Sequence, residues 1–300
     1  MSSREGKQKA GGLAGRRVLV TGATGRIGSV TTRHLNDLGA LVTTLSIVED
    51  PALKADRVVI GDTRSEDDVA TALEDVELVV HLAALAHRDA GTPYDVYTGN
   101  VISTFNVLAQ AGARGIKRAV VASSINAYGV PMNPQEPLPA YFPLDENIPS
   151  DVADWYSLSK QNDENTARMA WRQWGIDVVS FRFPHVNSAD VLLRQAERMR
   201  ENPAPGVREG WSYLDTRDAA YAIELGLTAT LSGAHKFFVA APTTNAPYET
   251  EALLDAFAPG VPRLRRFPGR TVPIDLTAVR TVLGFQARYE LELTTDRLET

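Results

Sequence analysis

Tyr156 and Lys160, in the run Trp155-Tyr-Ser-Leu-Ser-Lys160, stand four residues apart, a spacing that on a helix stacks a phenol over an ammonium. Such a pair can move a proton. A free tyrosine, with a pKa of about 10, is a weak acid or base at neutral pH, and a fixed cation beside it favours the phenolate. The spacing alone is common, because amphipathic helices also carry Tyr and Lys four apart for packing and solvation. A second group is more specific: Thr21-Gly22-Ala-Thr-Gly25-Arg-Ile-Gly28 follows the apolar Val18-Leu-Val20 and leads into a helical pattern. Gly22 permits a tight turn, Gly25 lets the backbone approach a pyrophosphate, and Gly28 allows close packing of helix on strand. The helix amino end then supplies unpaired N–H groups and the positive end of its dipole. The competing reading is a merely structural turn, which strand, glycines and helix in this order disfavour.

These groups need a scaffold. From Arg17 onward short apolar runs alternate with helical periodicity, as a parallel sheet with crossover helices requires. Strands are expected at 18–20, 41–47, 58–60, 78–82, 119–123 and 178–183, and helices at 28–38, 67–73, 93–113 and 154–174. Past Asn187 the alternation decays among prolines, with a strand at 236–240 and helices at 216–228 and 248–257. The fold class is therefore α/β, a doubly wound parallel sheet of Rossmann type. Residues 1–14 are expected as a disordered tail, 15–186 as the dinucleotide-binding domain with the catalytic residues, and 187–300 as a smaller substrate lobe, one element of which could return to the first sheet. Ser123 and Ser124 end a buried strand, where open parallel sheets place ligand-binding groups, although serines also cap helices and fill turns.

Composition narrows the function classes. With 300 residues, 44% hydrophobic and 23% charged, the chain is an ordinary globular protein of one large or two modest domains. A net charge of -6 without a Lys/Arg stripe argues against nucleic acid as a partner. The absence of cysteine removes disulfides, thiolate metal sites and cysteine nucleophiles, and fits a reducing cytosol. No metal site and no membrane partner are expected, since no apolar run reaches the roughly 18 residues of a bilayer span. The first dozen residues lack the hydrophobic centre of a secretion signal, and a cytoplasmic location is expected.

The Gly-x-x-Gly-x-x-Gly spacing combined with Tyr156-x-x-x-Lys160 resembles the extended branch of the short-chain dehydrogenase/reductase superfamily, the NAD-dependent epimerase/dehydratase family. Gly61-Asp62-Thr63, His81-Leu82-Ala83-Ala84, Asn100, the serine segment Ala122 to Gly129, Phe181 to Val186 and the closing stretch Ile274 to Phe285 extend the similarity over residues 16–290. The resemblance implies that Ser124 holds the reacting oxygen, that Tyr156 is the acid/base, and that Lys160 supports it and bonds the nicotinamide ribose. It implies a cofactor, NAD or NADP, held by Gly22, Thr24, Gly25, Arg26, Ile27, Gly28, Ser46, Asp62, Thr63, Leu82, Ala83, Ala84, Asn100, Ser123, Phe183, Pro184 and His185 besides Tyr156 and Lys160. Relatives that prefer NAD carry an aspartate where alignment puts Ser46. Glu49 and Asp50 follow it, with Arg26 as the basic candidate for a 2'-phosphate, so NAD stays slightly ahead. Relatives often pair through the helices at 93–113 and 154–174, which makes a homodimer the expected assembly, with Phe105, Leu108, Met169 and Trp171 as candidate apolar contacts.

Departures from the family pattern bear on the reaction. Sugar dehydratases need an acid and a base beside the catalytic hydroxyl, commonly Thr-Asp-Glu, whereas here Ser124-Ile125-Asn126 offers no carboxylate pair. Nucleotide-sugar epimerases commonly clamp the diphosphate with an arginine, and alignment puts Trp211 at that place with Arg208 nearby. The expected function is hydride transfer between the nicotinamide and a sugar-like or other hydroxyl or carbonyl small molecule, with features similar to uronate dehydrogenases. A nucleotide-sugar epimerase using the same residues is the alternative, and a non-catalytic NAD(P)-binding sensor is a third reading that retention of Tyr156 and Lys160 disfavours. Ser124, Ile125, Asn126, His185 and Trp211 are the candidate substrate residues, and Arg182 is a candidate carboxylate clamp.

Overall fold

In the computed structural model, which describes residues 12–298, the apolar runs line up as one parallel sheet. The elements in chain order are β1 (Arg17–Thr21), α1 (Arg26–Asp37), β2 (Leu41–Ser46), β3 (Arg57–Ile60), α2 (Glu66–Ala72), β4 (Leu78–His81), α3 (Pro93–Ala113), β5 (Arg118–Ser124), α4 (Trp155–Trp174), β6 (Asp177–Phe183), β7 (His185–Asn187), α5 (Ala189–Glu201), β8 (Tyr213–Asp215), α6 (Thr216–Thr228), β9 (Ala234–Phe238), α7 (Thr250–Phe257) and α8 (Thr277–Leu283). The seven-stranded sheet has the order β3-β2-β1-β4-β5-β6-β9, and β7 pairs with β8 in a separate two-stranded ribbon. Strand order reverses between β1 and β4, and open sheets of this kind bind ligands at that switch point, outside the carboxyl ends of the strands.

Alternation of side chains explains why the strands read as continuous apolar runs. Val18 and Val20 of β1 join Leu35 of α1 and Ile223 of α6 on one face of the sheet. Leu19 joins Val107 and Leu108 of α3 and Ala167 of α4 on the other. Both faces are covered, so both parities must be apolar. Each such side chain contributes about 1.5–3 kcal/mol on burial. A separate core built on Trp211, Tyr128, Phe142, Phe238 and Phe267 supports the carboxyl-terminal region.

The expected strand at 236–240 forms two residues earlier, as β9, and pairs in parallel with β6 through Phe181 and Phe237. It comes from the region past Asn187 and returns to the first sheet. Helix α5 was not expected; Leu192 and Ala196, four residues apart, are its buried residues. Of the expected tail, residues 1–11 lie outside the described residues, whereas Leu13 is a core residue at 4% exposure, so the packed chain begins before residue 15. Among the described residues no helix is long and apolar enough to cross a membrane.

Candidate active site

The glycine turn sits at the carboxyl end of β1. Gly22 has a left-handed φ of +65°, and a Cβ there would fall 2.8 Å from the Ala83 backbone. Gly28 is the tightest position, since a Cβ would come within 2.1 Å of the Gly22 carbonyl oxygen. Gly25 caps α1 without a side-chain hydrogen bond, so the first N–H groups of the helix face outward unspent. A cradle that side chains would fill, opening on a bare helix amino terminus, fits a pyrophosphate.

Around this turn run two clefts that share Gly22, Gly25, Leu82 and Ala84. The smaller, about 300 Å³, is lined by Thr24, Ser46, Asp62, Thr63, Ala83 and Asn100. The larger, about 570 Å³, is lined by Arg26, Ile27, Gly28, Ser123, Ser124, Ile125, Asn126, Tyr156, Lys160, Phe183, Pro184 and His185. Every residue assigned to the cofactor from sequence therefore borders one of them. The cause is topological, because these residues end or follow β1, β2, β3, β4, β5 and β6 or face those ends from α3 and α4.

Helix α4 fixes Tyr156 and Lys160. Asp154 caps it, accepting from the Ser157 N–H at 2.9 Å and from the Ser157 hydroxyl, which places Tyr156 in the first turn. Tyr156 and Lys160 are 5% and 4% exposed. The Lys160 ammonium donates to the Ala122 carbonyl at 2.9 Å and to Asp163 Oδ2 at 3.0 Å. Burial is the largest influence and pulls its pKa down, but the charge and hydrogen bond of Asp163 together with Tyr156 and Glu164 outweigh it, and the net shift is upward. His81, beneath the site, bridges Thr21 Oγ1 at 2.8 Å and Thr104 Oγ1 at 3.1 Å. Burial, aided by the charge of Lys160, drops its pKa to about 3 and keeps the ring neutral.

On β5 the two serines divide. Ser124 Oγ accepts from the Asn126 N–H and from Asn126 Nδ2, both at 3.1 Å, and faces the larger cleft. Ser123 Oγ donates to Glu164 Oε1 at 2.8 Å. Asn100 spends its amide within the protein, exchanging bonds with the Leu85 backbone and donating to Ser159 Oγ. It thereby fixes the loop after β4.

Four sequence expectations are corrected. Trp211 is fully buried in the second core, with its indole N–H donating to the Pro203 carbonyl at 2.7 Å, and does not border the cleft. Arg182 is no clamp: its guanidinium grips Glu164 at 2.8 and 2.9 Å and lies over the Phe238 ring. Arg26 does not reach the Ser46 side and instead donates to the Val186 carbonyl at 3.1 Å; the arginine bordering the smaller cleft is Arg64, which is held by Asp62. Leu108 is fully buried in the core and offers nothing to a partner.

Sequence reasoning also missed residues. Asp163 carried a usable signal, three positions after Lys160 and hence on the same helix face. Met132 and Glu209 carried none, since loops bring them to the larger cleft from far along the chain. Burial, opposed by the charge of Arg208, pushes the Glu209 carboxyl up to about 7.

The model of the NAD dependent epimerase/dehydratase family matches residues 18–228. The chain belongs to that family. Its curated relatives include a putative UDP-glucose 4-epimerase of Methanocaldococcus jannaschii, 31% identical over 63% of this chain and 64% of its own length, so the match spans under two thirds of that relative. An L-arabinose 1-dehydrogenase (NAD(P)(+)) of Haloferax volcanii is 30% identical over 65% of this chain and 76% of its own. A uronate dehydrogenase of Pseudomonas putida is 28% identical over 70% and 82%. Among solved structures, a short-chain dehydrogenase/reductase superfamily protein from Agrobacterium tumefaciens with bound NAD superposes with a TM-score of 0.69 at 24% identity, covering 92% of this chain and 93% of that one. The family's fold, the doubly wound parallel sheet, is thus shared along nearly the whole chain. Membership of an NAD dependent family supports a nicotinamide dinucleotide as cofactor.

Proposed function

We propose that this protein is an NAD-dependent dehydrogenase that oxidises a hydroxyl, or reduces the matching carbonyl, of a sugar-like molecule smaller than a nucleotide sugar. The observation that carries this reading is the convergence of Ser124, Tyr156 and Lys160 on one cleft with the glycine turn and Phe183 to His185. Bound nicotinamide supplies the hydride chemistry. Ser124 holds the substrate oxygen, the Tyr156 hydroxyl exchanges the proton, and Lys160, held by Asp163, supports Tyr156 and the cofactor ribose. Relatives that are L-arabinose and uronate dehydrogenases agree with this chemistry.

Two observations set the dehydrogenase above the epimerase and dehydratase readings. The two arginines weighed from sequence for an anionic substrate are engaged elsewhere, Arg208 with Glu136 at 3.3 Å and with the Asn133 carbonyl, Arg182 with Glu164. Beside Ser124 the turn presents Ile125 and Asn126, without the carboxylate pair that elimination of water needs. NAD is favoured over NADP because the Arg64 guanidinium is held by Asp62 and because Glu49 and Asp50 follow Ser46. We further propose a homodimer through α3 and α4, where Ile102, Phe105 and Leu158 are 49%, 51% and 39% exposed.

The test is absorbance of the reduced cofactor with a panel of sugars. Net NADH formation that is lost in Tyr156→Phe is the expected result. Sugar interconversion without net NADH would establish the epimerase, and a Tyr156→Phe chain unchanged in every assay would leave only a sensor.

A further inference from the structure

Glu209 is the one carboxylate among the described residues lining the larger cleft, which it shares with Ser124, Ile125, Asn126 and His185. It arrives at the end of a 3-10 turn, Ala204–Glu209, whose C-cap Gly210 takes a left-handed φ of +62°. Its backbone carbonyl is occupied, accepting from the Ser212 hydroxyl at 2.7 Å. Its carboxylate has no ion pair or hydrogen bond within the described residues. The adjacent Arg208 is turned away toward Glu136 and the Asn133 carbonyl. The two cations of the cleft do not compensate for it: Lys160 is spent on Asp163 and the Ala122 carbonyl, and Arg26 donates to the Val186 carbonyl at the pyrophosphate side.

A carboxylate that lines the cleft with no ion pair or hydrogen bond of its own accepts donors and, when ionised, repels anions. Hydroxyl and ammonium groups meet that need, whereas a uronate carboxylate or a diphosphate would face Glu209 with no free guanidinium to hold it. Resting on the dehydrogenase reading above, we propose that Glu209 selects a non-anionic sugar substrate, taking a hydroxyl or amino group of the sugar as its donor and excluding uronates and sugar nucleotides. Asn126 and His185, which line the same cleft, are uncharged partners suited to further hydroxyls.

The experiment measures kcat/KM with NAD for sets matched in stereochemistry: glucose, glucosamine, glucuronate and UDP-glucose, and the corresponding galactose set with arabinose. At about pH 9, where Glu209 is ionised, the wild-type protein is expected to favour the best neutral or amino sugar over its uronate by about 10-fold or more, since like charges at short range strongly disfavour a wrong partner. Glu209→Gln is expected to bring that ratio toward one by improving the uronate. A wild-type preference for a uronate or UDP-sugar overturns the assignment while leaving the dehydrogenase reading intact, as does a ratio unmoved by Glu209→Gln. NAD binding without turnover of any sugar overturns both. Should Glu209→Gln fail to fold, the wild-type ratio and Glu209→Asp decide.

Discussion

Lys160 Nζ lies 3.0 Å from Asp163 Oδ2, with both side chains almost wholly removed from solvent. A buried ammonium needs such a counter-charge, and removing one partner strands the other. Asp163→Asn is expected to destabilise the fold by about 3–5 kcal/mol and to lower kcat, read by urea denaturation and steady-state rates. Adding Lys160→Met to Asp163→Asn should recover part of the stability and none of the activity. A single variant as stable as the wild type would show that the pair contributes no net support.

Tyr156 and Ser124 border the same cleft as the glycine turn, and in the proposed mechanism they act after the cofactor is in place. Tyr156→Phe is expected to reduce kcat by about 10²–10⁴-fold, the usual contribution of a positioned proton donor. NAD affinity, followed by quenching of intrinsic fluorescence, should change little. Equal losses in binding and turnover would instead mean that Tyr156 serves mainly to build the cofactor pocket.

The candidate cofactor cleft and the placement of Tyr156 beside Lys160 were legible because local rules set them. Four-residue spacing sets Tyr156 over Lys160, and the glycines around β1 can only turn tightly where Gly22 takes positive φ. Strand ends gather the remaining cofactor residues automatically, once β1 to β6 are known to be parallel. Glu209 and the burial of Trp211 were illegible for the opposite reason. Both depend on how a turn at 204–209 packs against α7 and Tyr128, contacts distant in sequence with no periodic trace. Arg182 misled because its residue type suits a clamp, while its partner Glu164 comes from another element.

Ser46 Oγ accepts from the Thr24 N–H at 3.2 Å, at the end of β2 where the adenosine ribose would lie. A carboxylate there would accept from ribose hydroxyls and repel a 2'-phosphate. Ser46→Asp is therefore expected to raise the NAD over NADP ratio of kcat/KM by about tenfold, one charge repulsion of about 1.4 kcal/mol. Arg64→Ala should lower any residual use of NADP. A ratio unchanged by Ser46→Asp would place the ribose away from β2.

Phe105 on α3 and Leu158 on α4 leave an apolar face exposed beside the Tyr97–Asn162 hydrogen bond that joins the two helices. Light scattering should give a dimer for the wild type at micromolar concentration and a monomer for Phe105→Glu combined with Leu158→Glu. A monomeric wild type would count against pairing through this face.

Glu209 also makes a prediction that needs no substrate. Burial lifts its folded-state pKa from the ordinary 4.5 to about 7 against the pull of Arg208, so between those values the folded chain keeps a proton that the unfolded chain has released. Folding stability from this group is then fully present below about pH 4.5 and is lost as pH rises through 7. Glutamine cannot titrate. The melting temperature of the wild type relative to Glu209→Gln should therefore fall from about pH 5 to about pH 7 and level off above it, with the variant the more stable at the upper end. Tyr128, the neighbouring titratable group, stays protonated throughout, because burial holds its pKa well above 10, so the slope belongs to Glu209. A difference independent of pH would mean that the Glu209 carboxyl titrates alike in the folded and unfolded chain.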